Sequence, residues 1–408
     1  MEINSVMASM ELLTRRIAIV GAGIAGLALA VTLSRKGCRL VVIEQRDRES
    51  LGTDGLFLSL APNGMNAMKA LGLDQAIIDV GVTMSGLTLF NEAGKRLGVI
   101  DYSRNQRDFG APSVTVRRGA MIQVLLDAAL ALGVEIKFGS RIALISKTSP
   151  GFALEIDQEE QAFDAIIACD GLRSTVRRMA FPDAPEPVYS GLIGTGGVVN
   201  GTAIAPTRGQ MNMVFGRRAF FGYIRDEDGP TYWFNTYVAE NVRGAGNCDS
   251  SAEAARIAAM HRSDPLDIPE IVNELTGIDR NYPIYDMPAL PRWWNDNVLL
   301  IGDAAHAVAP HSGQGASMAL EDAIVLSECL VNDPLPQAFQ RFESLRRGRT
   351  AQAIKLGRRS GSTKKADSWL SRRIRDWLLP LVLPMSGRMQ AQLFRHRVDL
   401  NPLAMPER

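Results

Sequence analysis

The chain is poor in cysteine, with four in 408 residues: Cys38, Cys169, Cys248 and Cys329. They are widely scattered and no two form a C-x-x-C pair. A disulfide framework or a thiolate metal site is therefore not expected, no metal ligands are assigned, and reduced thiols suit a cytoplasmic protein. Long apolar runs are also missing. The longest strongly apolar stretch near the C-terminus, 377–385, is nine residues and holds two prolines, short of the about 20 a bilayer span needs. Residues 1–16 contain no long apolar core and no clear cleavage site, so no signal peptide is expected. Residues 1–14 are expected to be disordered. No nucleic-acid motif is present. What remains is an ordinary globular composition with room for two or three domains.

The net charge is only +1, but it is unevenly spread. From residue 341 onward there are 16 Lys and Arg against 5 Asp and Glu, a charge of +11, while the remainder carries 29 against 39, or −10. A basic helix lying against the acidic body is the plain reading. Contact with a membrane through that helix, or a lid near a substrate opening, are the functional ones.

Against this background two glycine-rich segments stand out. The first is Gly21-Ala22-Gly23-Ile24-Ala25-Gly26. A β-branched run precedes it, an Ala- and Leu-rich helical stretch ending at Gly37 follows, and a second apolar run ends in Glu44. This is a βαβ pattern. Gly21 permits the turn, Gly23 lets the backbone approach a pyrophosphate and Gly26 lets helix pack on strand. The helix N-terminus, with Ile24 and Ala25, offers N–H groups to phosphate. Glu44, 18 residues beyond Gly26, is placed to accept from ribose hydroxyls and disfavours a 2′-phosphate. Arg46 is a candidate for the adenosine end.

The second segment is Gly302-Asp303-Ala304-Ala305-His306, followed by Pro310 and Gly313-Gln314-Gly315. An apolar run leads into it, and a helix is expected from Ser312 or Gly313. Asp303 can accept from sugar or ribityl hydroxyls. Gly313 and Gly315 allow close approach to a flat ring, with Gln314 between them and Pro310 stiffening the loop. His306 and His311 read as structural. Two such segments suggest one extended cofactor gripped at both ends, which points to FAD. A third strand, 163–169, again ends in an acid and a glycine, Asp170 and Gly171, with Ser174 and Arg177 beyond.

These three segments, spanning about residues 15–350, resemble the class A flavoprotein monooxygenases, the para-hydroxybenzoate hydroxylase-like aromatic hydroxylases. The resemblance implies an α/β fold: a Rossmann-like FAD-binding domain of the GR2 type, an inserted antiparallel substrate-binding sheet, and C-terminal helices. The expected divisions are 15–85, 101–182 and 283–350 for the FAD domain, 86–100 and 183–282 for the sheet, and 351–408 for a basic helical segment. The resemblance also implies that Arg118 contacts the flavin, with Arg117 the alternative should the register differ by one. β-rich runs lie at 191–199, 210–225 and 231–238, the turn 226–230 is expected to join the last two into a hairpin, and another hairpin is expected at 87–100. The expected substrate-facing residues are Trp233, Asn235, Phe221 and Tyr223.

The implied reaction is hydroxylation of a small aromatic or polycyclic substrate with O₂, through a flavin C4a-hydroperoxide. NADPH or NADH would bind transiently as electron donor. No side chain announces itself as a catalytic base, since the flavin carries the chemistry. Three alternatives remain. A flavin halogenase would carry a Trp-x-Trp-x-Ile-Pro signature, which Trp293-Trp294 does not match. A reductase or oxidase of the same fold would incorporate no oxygen from O₂. An inactive flavin-binding module would use the basic tail for docking. A monomer and a homodimer are both compatible with the sequence.

Overall fold

The computed structural model describes residues 12–398 except 54–55, 149–150, 201–202, 241–248, 279 and 363–368. Cys248 and residues 1–11 thus lie outside the described residues. Leu12, within the segment expected to be disordered, is helical and buried.

Strand Arg16–Val20 is aliphatic after its first residue, as burial on both faces of a parallel sheet requires. It pairs in parallel with Arg39–Ile43 on one side and Ala165–Ala168 on the other. Glu135–Lys137 and Val298–Leu300 extend the sheet, and Trp294–Asn295 closes it as a short antiparallel edge. Helix α1 (Ile24–Arg35) connects the first two strands. It is buried from Ala25 to Leu33 because it lies between the sheet, α2 (Arg118–Ala131) and α3 (Gly315–Asn332). A helix apolar all round needs such cover.

A seven-stranded sheet forms a second layer. Its order is Tyr282–Asp286, Val188–Val199, Thr231–Val238, Phe220–Arg225, Gln210–Phe215, Gly86–Asn91 and Arg96–Asp101. All neighbours are antiparallel except Gln210–Phe215 with Gly86–Asn91. The β-rich run 210–225 forms two strands folded back at 216–219. Helices Ser250–His261 and Ile268–Asn273 cover the outer face of this sheet.

Two long helices end the described chain. Helix α4 (Leu335–Ser362) runs unbroken through the boundary expected at 350. Helix α5 (Trp369–Phe394) lies along the hairpin strand Arg96–Asp101. It is clamped at one end by Asn91 Nδ2 donating to Asp376 (2.9 Å) and by Arg375 with Glu92 (3.4 Å). At the other end Phe394 packs edge-on against Tyr102 and Phe109. The basic segment therefore bridges the two layers.

Candidate active site

Three backbone hydrogen bonds gather the motifs. Gly21 N–H donates to Ile43 O (2.7 Å), Cys169 N–H to Val20 O (2.7 Å) and Ile301 N–H to Ala168 O (3.0 Å). The glycine turns thus emerge side by side at the carboxyl ends of neighbouring parallel strands, where open α/β sheets bind ligands. Gly21, at φ +102°, would place a Cβ 2.6 Å from Cys169 O, and a Cβ at Gly26 would fall 1.9 Å from Gly21 O. Both positions are fixed by packing.

Gly23 differs. Its backbone is extended (φ −81°, ψ −170°), and nothing lies within 4 Å of where its Cβ would stand. Neither strain nor packing calls for glycine there, whereas a group lying on the helix N-terminus does. Glu44 Oε2 accepts from Ala22 N–H (2.7 Å), while Oε1 accepts from the Arg46 backbone N–H (2.9 Å) and from its guanidinium Nε (3.0 Å). A carboxylate has about four acceptor sites, so one on Oε2 is left for a hydroxyl.

The middle motif is braced internally. Asp170 Oδ2 accepts from the N–H groups of Thr175 (2.7 Å) and Val176 (3.1 Å), capping helix Thr175–Ala180. Its buried Oδ1 has no hydrogen-bond partner among the described residues, and its neighbours Cys169 and Gly171 line the cleft. Arg177 is buried and donates to Ala304 O (2.8 Å) and Leu172 O (2.6 Å), stapling this turn to the Gly302-Asp303 turn.

Gly302 adopts φ +57°, ψ −140°, backbone open to glycine alone, and its N–H donates to Asp322 Oδ2 (2.9 Å). Asp303 lines the cleft, and no hydrogen bond joins its carboxylate to the described residues. Asp303 is exposed to the open cleft, yet desolvation by the surrounding protein raises its pKa, while Arg118 and His306 pull it back. Arg118, the first residue of α2, lines the cleft and Arg117 does not. Pro310–Ser312 is a separate 3₁₀ turn, so α3 begins at Gly315 rather than at the expected Ser312 or Gly313. Its N-terminus, with Gly313, Gln314 and Gly315, forms part of the wall.

Behind this loop sits a buried charge network that the sequence reading missed. His306 Nε2 contacts Asp322 Oδ2 (2.6 Å), and Asp322 Oδ1 accepts from Arg346 Nε (2.7 Å). Arg346 also donates to Glu321 Oε2 (2.7 Å), which Arg349 pairs as well. Asn63 Nδ2 donates to Glu321 Oε1 (2.7 Å) and to Gln314 Oε1 (3.1 Å). Arg349 donates to Leu393 O (3.0 Å) at the end of α5. One network therefore holds the Gly302 turn, the Gln314 loop and the last turn of α5. Burial alone would raise the Asp322 pKa, but His306, Arg346 and the Gly302 N–H outweigh it and bring it to about 2. A signal was present: Glu321 and Asp322 interrupt an otherwise apolar helical run, and buried carboxylates require partners.

The cleft opens into a single cavity of about 790 Å³ that runs from Gly23 and Gly313 to the inner face of the seven-stranded sheet and α5. Here the expected facing of the strands is corrected. Phe220, Phe234 and Thr236 line the cavity, with Met211, Met213 and Phe215 from the adjacent strand. Phe221, Tyr223 and Trp233 point the other way, into the core beneath Ile257, Ile268 and Ile271. Phe221 stacks on Trp233 at 5.7 Å, and Tyr223 donates to Asp267 (2.9 Å). The two faces are both aromatic, so alternation identified the sets without telling which was inward. Asn235 touches the cavity, but its Nδ2 is engaged with His261 Nε2 (3.2 Å) on the helix side. Leu379, Val382, Leu383, Met389, Gln390 and Phe394 of α5 complete the wall.

These features define a flavin nucleotide-binding protein: open space at Gly23, an Asp303 carboxylate with no hydrogen-bond partner among the described residues, and a volume continuing past the strand ends. Residues 14–333 match the FAD binding domain family, and the chain belongs to it. It is similar to the aurachin C monooxygenase/isomerase of Stigmatella aurantiaca, 29% identical over 94% of this chain and 98% of that protein. It is 30% identical to the 3-amino-4-hydroxybenzoate 2-monooxygenase of Streptomyces cremeus, over 84% of this chain and 86% of the relative. Klebsiella pneumoniae HpxO, solved with FAD and uric acid, shares the fold with a TM-score of 0.81 at 21% identity, covering 93% of this chain and 96% of that one.

Proposed function

We propose that this chain is a FAD-dependent monooxygenase that hydroxylates an uncharged aromatic substrate bearing apolar substituents, with NAD(P)H and O₂ as co-substrates. The observation that carries this reading is the lining of the cavity. Among the described residues that form it, Arg118 is the one lysine or arginine and Asp303 the one carboxylate. Both stand at the strand-end side. The arm between the sheet and α5 offers Met211, Met213, Phe215, Phe220, Phe234 and Leu383, and no cation to receive a carboxylate. Burying an unpaired charge there would be costly.

The first turn of α1 and Gly23 would receive the pyrophosphate of FAD, Glu44 and Arg46 its adenosine end, and Asp303 a ribityl or sugar hydroxyl. Arg118, Pro310 and residues 313–315 would border the ring. Held by these residues, a flavin would supply the passage of electrons from the nicotinamide to O₂. Overall, NAD(P)H, a proton, O₂ and the arene give NAD(P)⁺, the phenol and water. The residues of the chain bind, orient and keep water out. The apolar arm excludes solvent, and α5 closes it from outside.

Gln390 is a polar exception in the apolar arm. Its side chain hydrogen-bonds the Tyr102 hydroxyl, while its buried Oε1 has no hydrogen-bond partner among the described residues. A substrate O–H or N–H satisfies this acceptor and fixes which ring carbon faces the flavin. We expect Gln390→Leu to raise KM about tenfold for a donor-bearing substrate, with kcat little changed, and to leave an analogue lacking the donor unaffected. Steady-state kinetics on the pair checks this.

The reaction class is tested with ¹⁸O₂ and a panel of neutral and carboxylated aromatics. Labelled phenol from neutral compounds is expected. Turnover that gives unlabelled product and stoichiometric hydrogen peroxide would favour an oxidase of the same fold, and preference for carboxylated rings would refute the substrate class.

A further inference from the structure

Helix α5 is apolar on two faces. Leu379 and Leu383 look inward to the cavity and the sheet. On the other face Leu370, Ile374, Trp377, Leu378 and Leu381 are 60, 49, 71, 41 and 62% exposed. Their spacing of i, i+4, i+7, i+8 and i+11 makes one stripe. Five large apolar side chains in a row form a contiguous patch, and such patches mark contact surfaces.

Charge indicates what covers it. Exposed Arg373 flanks the stripe, and exposed Arg388 falls in line with its far end. Arg217 and Arg218 are exposed on the neighbouring turn, which is tied to the helix by Arg372 donating to Arg217 O (3.3 Å). These residues lie on or beside the segment that carries +11. A second copy docked face to face would set the same arginines against one another, whereas an anionic lipid surface neutralises them. Trp377 suits the headgroup boundary, where an amphipathic ring is favoured. No helix among the described residues is long and apolar enough to cross a membrane, so contact at the surface is the available mode.

We infer that the outer face of α5 docks on an anionic bilayer. Val382 is 46% exposed and also lines the cavity, so the stripe meets the apolar arm there. It marks the point at which an apolar substrate passes from acyl chains into the site.

Flavin-loaded protein is floated with phosphatidylcholine vesicles and with vesicles containing phosphatidylglycerol. The wild type is expected on the anionic vesicles. Trp377→Glu/Leu381→Glu should bind them about a hundredfold more weakly and Arg373→Glu/Arg388→Glu about tenfold. None of these side chains lines the cavity, so flavin content and turnover of a water-soluble substrate in vesicle-free buffer should be unchanged. Absence of wild-type binding to anionic vesicles, or equal binding by the variants, overturns the inference. So does a wild-type dimer in light scattering that Trp377→Glu/Leu381→Glu converts to monomer without any vesicle affinity. Flotation is read without turnover, so this result is independent of the hydroxylation test.

Discussion

Gly23→Val yields a folded protein that does not retain flavin. The space its side chain fills is free of protein atoms within 4 Å of Cβ, and the backbone there is one that valine adopts readily. Thermal stability of the apoprotein is therefore expected to stay close to that of wild-type apoprotein. Cofactor affinity should fall by about 3 kcal/mol or more, a factor of over about a hundred, because valine occupies the place of the pyrophosphate and screens the N–H groups of α1. Visible flavin absorbance after gel filtration, read beside the apoprotein melting curve, checks both halves. Gly21→Ala is the counterpart. Its Cβ would meet Cys169 O at 2.6 Å, so the substitution should lower the melting temperature of the apoprotein itself. Equal behaviour of the two variants would refute the division between a ligand-facing glycine and a packing glycine.

The second large effect is expected at Arg346. Its guanidinium, buried between Asp322 and Glu321, balances two carboxylates. Arg346→Leu leaves Asp322 with His306 and Glu321 with Arg349 as their remaining cations, and a loss of about 3–5 kcal/mol is expected from breaking such a pair on one side. Denaturant unfolding of apoprotein measures it. The same network sets a pH limit. The Asp322 pKa is lowered from 3.8 to about 2, with His306 and Arg346 overcoming desolvation. A group depressed in this way contributes its full stabilisation above the unfolded value and loses it as pH falls through the folded one. Stability from Asp322 is thus present above about pH 4 and disappears toward pH 2. Asp322→Asn should lower stability at neutral pH and flatten this acid limb. An unchanged acid limb would show that other carboxylates dominate it.

Much of the nucleotide side was legible because its chemistry is local. Gly21, Gly23 and Gly26 sit in one turn, and Glu44 terminates the next strand, so strand, turn and helix can be read from consecutive residues. The Gly302-Asp303 segment announced itself in the same way. What was not legible depends on long-range placement. Whether Trp233 or Phe234 faces the cavity follows from which face of the sheet the helices 250–261 and 268–273 cover, and both faces of that strand are aromatic. The partnership of Asp322 with Arg346 joins residues on two helices and has no periodicity to reveal it. The role of α5 was legible in part: Leu370, Ile374, Trp377 and Leu378 fall at helical spacing, whereas its second apolar face, with Leu379 and Leu383, meets the cavity only through the packing of the helix on the sheet. Asp170, the acid of the third motif, braces its own turn by accepting from two backbone N–H groups, a role that only the folded turn reveals.

The hydrogen bonds from Gly21 to Ile43, from Cys169 to Val20 and from Ile301 to Ala168 also impose a timetable. A ribosome adds about 5–20 residues per second, and the first glycine turn is made early. Its neighbours at the strand ends are not complete until residue 315 has emerged, and the wall of the cavity waits for Phe394. Between the synthesis of strand Thr231–Val238 and that of α5 the nascent chain therefore carries an incomplete nucleotide cleft and an uncovered aromatic sheet. Flavin capture belongs to the last stage of biogenesis, and a chain interrupted before α5 would leave its apolar arm open to chaperones.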